Sequence, residues 1–164
     1  MSLTDAIRMK GVKRNKKYND MVDLLWLRGK GPESSKIFSD IKDIIILAAM
    51  IGKKYEAREK VGSENTPIAL QTFAGTGSGR ESRVHQHNIV FMFSLMINKD
   101  MNAIRDENID ATINEFEEYS NGGLSIMQDW MAASASNPMC ILDKMVEIVG
   151  TTKPGGLDVV ENPF

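Results

Sequence analysis

Ser39-Asp40-Ile41-Lys42-Asp43-Ile44-Ile45-Ile46-Leu47-Ala48-Ala49-Met50-Ile51-Gly52 is the stretch whose reading decides the fold class. Ile41, Ile44, Ile45, Ala48 and Ile51 recur at intervals of three and four, the spacing that places side chains on one face of an α-helix. Ser39 is a natural N-cap, Asp40 suits the positive end of the helix dipole, and Gly52 is a natural stop. Ala48 and Ala49 predict close approach of a second helix. Lys53, Lys54, Arg58 and Lys60 follow, complementing the carbonyl end of the dipole or forming a phosphate clamp.

Toward the N-terminus, residues 29–35 hold two glycines, a proline and two serines and predict a loop. Before it, Tyr18, Met21, Val22 and Leu25 predict a short amphipathic helix within residues 17–28, with Gly29 as its stop. Toward the C-terminus, residues 61–82 are the least helical part of the interior. Residues 68–73 allow a short strand or extended segment after Pro67. A glycine-rich run then leads into a helix over residues 81–98. Its segment Ile89-Val90-Phe91-Met92-Phe93 also has the composition of a buried strand.

Ile109, Ile113 and Phe116 open a further helix, which Asn121-Gly122-Gly123 is expected to end, since Asn and Gly tolerate a left-handed C-cap. Leu124, Met127 and Met131 start the next. Asn137-Pro138 then introduces a final helix carried by Ile141, Leu142, Met145, Val146 and Val149 as far as Gly150. The predicted fold is mainly α, a compact bundle of five to six helices with room for a short extended segment or small hairpin near residues 55–75. The predicted organisation is a basic flexible arm over 1–16, one helical domain over 17–150 and a tail over 151–164.

At 164 residues a single domain buries roughly 70% of the surface its unfolded chain exposes, enough for a core without staples. The lone Cys140 excludes an intramolecular disulfide and fits a reducing cytoplasm. The strongly apolar runs, residues 44–51 and 89–97, fall far short of the ~20 residues that span a bilayer. No apolar segment follows the charged N-terminus, so a secretory signal is not expected.

The net charge of −2 conceals an asymmetry: residues 1–60 carry 14 of the 20 lysines and arginines against 8 acids, and residues 61–164 carry 6 against 14. Arg8, Lys10, Lys13, Arg14, Lys16 and Lys17 form the densest block. Together with Lys53, Lys54 and Arg58 they are the candidate nucleic-acid contacts, because such cations bind phosphate by releasing counterions. The competing reading is a solvated, flexible tail.

Catalytic signals are thin. Gly75, Gly77, Gly79 and Arg80 follow an extended segment and precede a helix, the arrangement that cradles phosphate on backbone N–H groups. A nucleotide-binding loop, however, requires lysine where Arg80 stands and a hydroxyl where Glu81 stands; the dinucleotide pattern requires glycine at Ser82. His85 and His87 are two residues apart and diverge on a helix, so no metal site is assigned. Glu115, Glu117 and Glu118 read as a solvated helix face, and Cys140 sits between Met139 and Ile141 as a small core residue. No catalytic residue and no cofactor is assigned, and the reading leans away from an enzyme.

Two stretches together resemble a known family. The run from Phe38 through Lys54 resembles the helix with an alanine pair, terminal glycine and following basic residues in small proteins that accompany bacterial DNA phosphorothioation systems. The more specific match is Phe116-Glu117-Glu118-Tyr119-Ser120-Asn121-Gly122-Gly123-Leu124, similar to that family's Phe-Glu-Glu-Tyr-Ala-Asn-Gly-Gly-Leu segment. Pro67-Ile68-Ala69-Leu70-Gln71-Thr72-Phe73 resembles the family's short extended segment. The resemblance covers most of residues 36–131 and implies an accessory protein of a phosphorothioation modification or restriction system, with no catalytic residues to carry over. The expectation is a cytoplasmic, non-enzymatic module that contacts DNA or a DNA-modifying complex. Its alternatives are a partner-binding or homo-oligomeric domain without nucleic acid, and a phosphate-handling enzyme built on the Gly75–Arg80 loop.

Overall fold

A computed structural model describes residues 10–74 and 88–151. In chain order these form strand β1 (Gly11–Asn15), helix α1 (Asn19–Leu25), helix α2 (Ile41–Lys54), strand β2 (Asn65–Ala69), helix α3 (Asn88–Asn98), helix α4 (Ile109–Ala133) and helix α5 (Met139–Thr151). The fold is therefore mainly α, as the sequence predicts.

Its axis is the crossing of α2 and α4, the most extensive contact in the molecule. Asn121-Gly122-Gly123 does not end a helix: α4 runs unbroken through it for 25 residues. Packing, not capping, selects these glycines. A Cβ on Gly123 would stand 1.7 Å from the Ala48 carbonyl oxygen, and one on Gly122 would stand 2.1 Å from that of Ala57. Gly52 is likewise no stop, since α2 continues to Lys54. A Cβ there would lie 2.0 Å from the Tyr119 carbonyl oxygen. With Ala48 and Ala49 fully buried opposite, the backbones meet across a seam with almost no side chain between them. Phe73, Phe93, Phe116 and Tyr119 close the core beside the seam through edge-to-face ring contacts, with centroids 5.3 to 6.1 Å apart.

Other elements shift from expectation for local reasons. The N-cap of α2 is Asp40, without a side-chain capping bond, while the Ser39 carbonyl accepts the Trp26 indole N–H at 3.1 Å. α1 is shorter than the predicted 17–28 because Trp26 turns extended and bridges to Phe38. Lys36 closes this loop by donating to the Asp23, Gly29 and Lys30 carbonyls at 2.8 to 3.0 Å. Residues 89–93 are helical within α3, not a strand. The extended segment predicted at 68–73 is β2, three to four residues earlier, followed by a 3-10 turn over Leu70–Ala74. Asn137 does cap α5, its Oδ1 accepting the Met139 N–H at 3.1 Å.

β2 does not close a local hairpin. It pairs antiparallel with β1 in a register running from Gly11 opposite Ala69 to Asn15 opposite Asn65. Over Gly11–Asn15 the expected flexible arm is thus replaced by a strand with Val12, Arg14 and Asn15 buried. Arg8, Gly75, Gly77, Gly79, Arg80, His85 and His87 lie outside the described residues.

Candidate nucleic-acid interface

A two-stranded sheet leaves each strand with a bare edge, and the outer edge of β1 is closed by a helix. Glu117 and Asn121, one turn apart on α4, stand in for a third strand. The Lys13 N–H donates to Glu117 Oε1 and the Asn15 N–H to Asn121 Oδ1, both at 2.7 Å; Asn121 Nδ2 donates back to the Lys13 carbonyl at 3.2 Å. Asn15 extends the network, its Nδ2 donating to Glu59 Oε1 at 2.6 Å and to the Lys60 carbonyl at 3.1 Å, while its Oδ1 accepts the Gly62 N–H at 2.7 Å. Tyr18 donates to the other Glu59 oxygen at 2.6 Å. β1 and residues 59–62 are thereby fixed to each other and to α4.

This frame determines which cations remain available. Lys10 pairs with Asp110. Arg14 is buried, its guanidinium on Asn19 Oδ1 at 2.9 Å, so it leaves the set of surface contacts. Lys17 pairs with Glu59 at 3.0 Å, Lys53 with Glu56 at 2.6 Å and Arg58 with Glu118 at 2.7 Å. Lys53 and Arg58 also lie over the Tyr119 ring, 5.7 and 4.9 Å from its centroid. Lys13, Lys16, Lys54 and Lys60 are exposed, and no ion pair engages their ammonium groups among the described residues. Lys13, Lys16 and Lys17 lie within two residues of Asn15 in the chain, and the Lys60 carbonyl is held by Asn15; Lys53 and Arg58 form an acid-balanced group at Tyr119.

Lys60 was legible only as part of the basic run after α2, and Glu59, Glu117 and Asn121 were not legible as site residues. A signal existed for the last two: they sit four and eight residues after Ile113, on the apolar stripe of α4, where a polar side chain needs a buried partner.

The family model for DNA sulphur modification system-associated protein 4 matches residues 11–154. The chain belongs to that family. The match begins at the first residue of β1 and spans every described helix and strand, and Arg8 and Lys10 precede it. Neither a curated protein nor a solved structure matches the chain. In this DNA sulphur modification system-associated protein every residue of the Phe116-to-Leu124 run has a structural duty or is buried in the core. Phe116 joins the ring cluster, Glu117 and Asn121 hold β1, Glu118 holds Arg58, and Gly122 and Gly123 admit neighbouring backbone.

The two carboxylates of the frame respond oppositely to acid. Burial alone would raise Glu59, but hydrogen bonds from Tyr18, Lys17 and Asn15 outweigh it and hold the carboxyl below its usual value. Its contribution is present above the unfolded carboxylate pKa and is lost as pH falls through the folded one. Burial raises Glu117, with the Lys13 N–H opposing. Its contribution is complete below the unfolded pKa and is lost as pH rises through the folded one. Glu117→Gln, which keeps an acceptor for Lys13, is therefore expected to gain stability relative to the parent as pH rises from about 4 to 7, in urea melts at stepped pH. A difference that does not change with pH contradicts this assignment.

Proposed function

We propose that the protein is a non-enzymatic, cytoplasmic accessory module of a DNA sulphur modification system that holds the system's DNA through phosphate contacts from Lys13, Lys16, Lys17 and Lys60. The observation that carries this reading is that Lys13, Lys16 and Lys60, exposed and without an ion-pair partner among the described residues, belong to segments anchored by Asn15 and by the α4 side chains that hold β1. Family membership supplies the context of DNA modification. Contacts of this kind carry no base information and position a protein on the duplex.

Duplex affinity is expected to fall steeply between 50 and 200 mM salt, on the order of tenfold or more for a few phosphate contacts. Reversing Lys13, Lys16 and Lys60 to glutamate is expected to weaken binding equally on unrelated sequences and to flatten the salt slope by about one unit per contact. Fluorescence anisotropy with short duplexes measures both, and a slope unchanged by the triple substitution contradicts the reading.

A second reading, a homo-oligomeric domain without nucleic-acid contact, draws on α5. Met139, Leu142, Val146 and Val149 are all exposed there, Val146 by 73%. Their 3-4-3 spacing sets them on one face of the helix, an apolar stripe that a second copy could cover with its own in a two-fold contact. A dimer that persists at high salt, together with no retention on DNA, favours this second reading.

A further inference from the structure

A polar cleft of about 620 Å³ opens between α3, the connector to α4, α4 itself and Arg58, and the DNA reading makes no use of it. Its chemistry follows from which groups have already spent their hydrogens. Asn98 Nδ2 donates to Glu115 Oε2 at 2.8 Å and to the Ser94 carbonyl at 3.1 Å. Asn102 Nδ2 donates to Asp100 Oδ2 at 3.2 Å, and Asn108 Nδ2 donates to the Asn102 carbonyl at 2.7 Å. Carboxylate and carbonyl oxygens accept only, so these bonds fix the orientation of all three carboxamides. Asn98 has then spent both amide hydrogens and Asn102 and Asn108 one each, and all three keep the carbonyl oxygen as an acceptor.

Ser94 likewise gives its hydroxyl proton to Glu115 Oε2 at 2.9 Å, which leaves Glu115 Oε1 without a partner among the described residues. The lining thus offers four side-chain acceptors, the Oδ1 atoms of Asn98, Asn102 and Asn108 and Oε1 of Glu115, and its charged groups are three carboxylates, Asp100, Glu115 and Glu118, against the single cation Arg58, which Glu118 holds. Phosphate meets an excess of negative charge here, whereas a cation with several N–H groups meets the complementary charge and acceptors. No group of three or more His, Cys, Asp or Glu among the described residues is placed to hold a metal ion, and separate oxygen acceptors around one carboxylate suit the several N–H groups of an organic cation.

We propose that this cleft binds a guanidinium or primary ammonium group, with Glu115 as the charged acceptor and the carbonyl oxygens of Asn98, Asn102 and Asn108 around it. Two sources share that chemistry: an arginine or lysine side chain of a protein partner, and a free polyamine. The inference goes beyond the DNA reading and does not depend on it, because the cleft residues and Lys13, Lys16, Lys17 and Lys60 are different groups that favour opposite charges.

The test titrates the isotope-labelled full chain with Nα-acetyl-arginine amide, Nα-acetyl-lysine amide, spermidine and, as an anionic control, inorganic phosphate. Saturable shifts are expected on the side-chain amides of Asn98, Asn102 and Asn108 with the cations and not with phosphate. Glu115→Gln is expected to weaken binding about tenfold, as when a charge-assisted hydrogen bond becomes a neutral one. Because Glu115 also holds Ser94 and Asn98, Asn102→Leu on the exposed connector provides a second variant, expected to weaken binding without moving the thermal midpoint. Tighter binding of the arginine amide than of spermidine assigns the site to a partner's side chain, and the reverse order assigns it to a polyamine. Absence of saturable shifts with every cation overturns the proposal, as does wild-type affinity in both variants. Either result leaves the salt-dependent DNA measurement standing on its own.

Discussion

Gly123→Ala is expected to lower the thermal midpoint by about 10 °C or more, or to prevent folding, although intrinsic propensity alone favours alanine over glycine inside a helix by about 1 kcal/mol. Packing decides the sign. The added methyl would sit 1.7 Å from the Ala48 carbonyl oxygen and 2.5 Å from its carbon, and both belong to backbone inside α2. No rotamer change relieves such a contact; the helices must separate along their seam. Overpacking that shifts backbone costs about 1–3 kcal/mol in ordinary cores and more where neighbours cannot yield. The seam gives little, because Gly52 and Gly122 make equally close approaches to the Tyr119 and Ala57 carbonyls on either side. Gly150→Ala is the matched control. Among the described residues nothing lies within 4 Å of a Cβ at that position of α5, so the same chemical change is expected to stabilise by roughly 0.5–1 kcal/mol. Differential scanning calorimetry on the two variants checks the contrast, and equal shifts would show that propensity rather than the seam governs α4.

The same glycines show where the sequence was legible and where it was not. The spacing of Ile41, Ile44, Ile45, Ala48 and Ile51 identified α2 because a periodic apolar face is a property of the segment itself. Asn121-Gly122-Gly123 misled because glycine has two uses, a left-handed cap and a close backbone approach, and only the neighbouring helix distinguishes them. β1 was hidden in a similar way. Gly11-Val12-Lys13-Arg14-Asn15 has a single aliphatic residue and is a strand only because β2, some fifty residues later, takes one edge and α4 takes the other. The basic block was visible as composition, but the division of its described members into paired, buried and exposed cations was not. That division depends on carboxylates distant in sequence, Asp110 for Lys10 and Glu118 for Arg58.

The edge-closing role of α4 leads to the second large effect. Asn121 is fully buried and spends its side chain on the Asn15 N–H, the Lys13 carbonyl and the Glu117 carbonyl. Asn121→Ala leaves the Asn15 N–H facing a small void, and a buried donor without a partner costs about 1–3 kcal/mol beyond the bonds lost. With the truncation of a packed side chain the total is about 3 kcal/mol, or roughly 6–12 °C in midpoint for a chain of this size. Asn121→Asp separates the two halves of the role. It keeps an acceptor for Asn15 but sets a carboxylate against the Lys13 carbonyl, one helical turn from the buried Glu117. Its deficit is therefore expected to exceed that of alanine at neutral pH and to shrink in mild acid, as the pair takes up a proton. Hydrogen exchange provides the local readout: the Lys13 and Asn15 amides are expected to lose protection in Asn121→Ala while amides in the α2–α4 seam keep theirs. Protection unchanged at Lys13 and Asn15 would mean that α4 does not hold the strand, and the rigid platform assigned to Lys13, Lys16 and Lys60 would lose its physical basis.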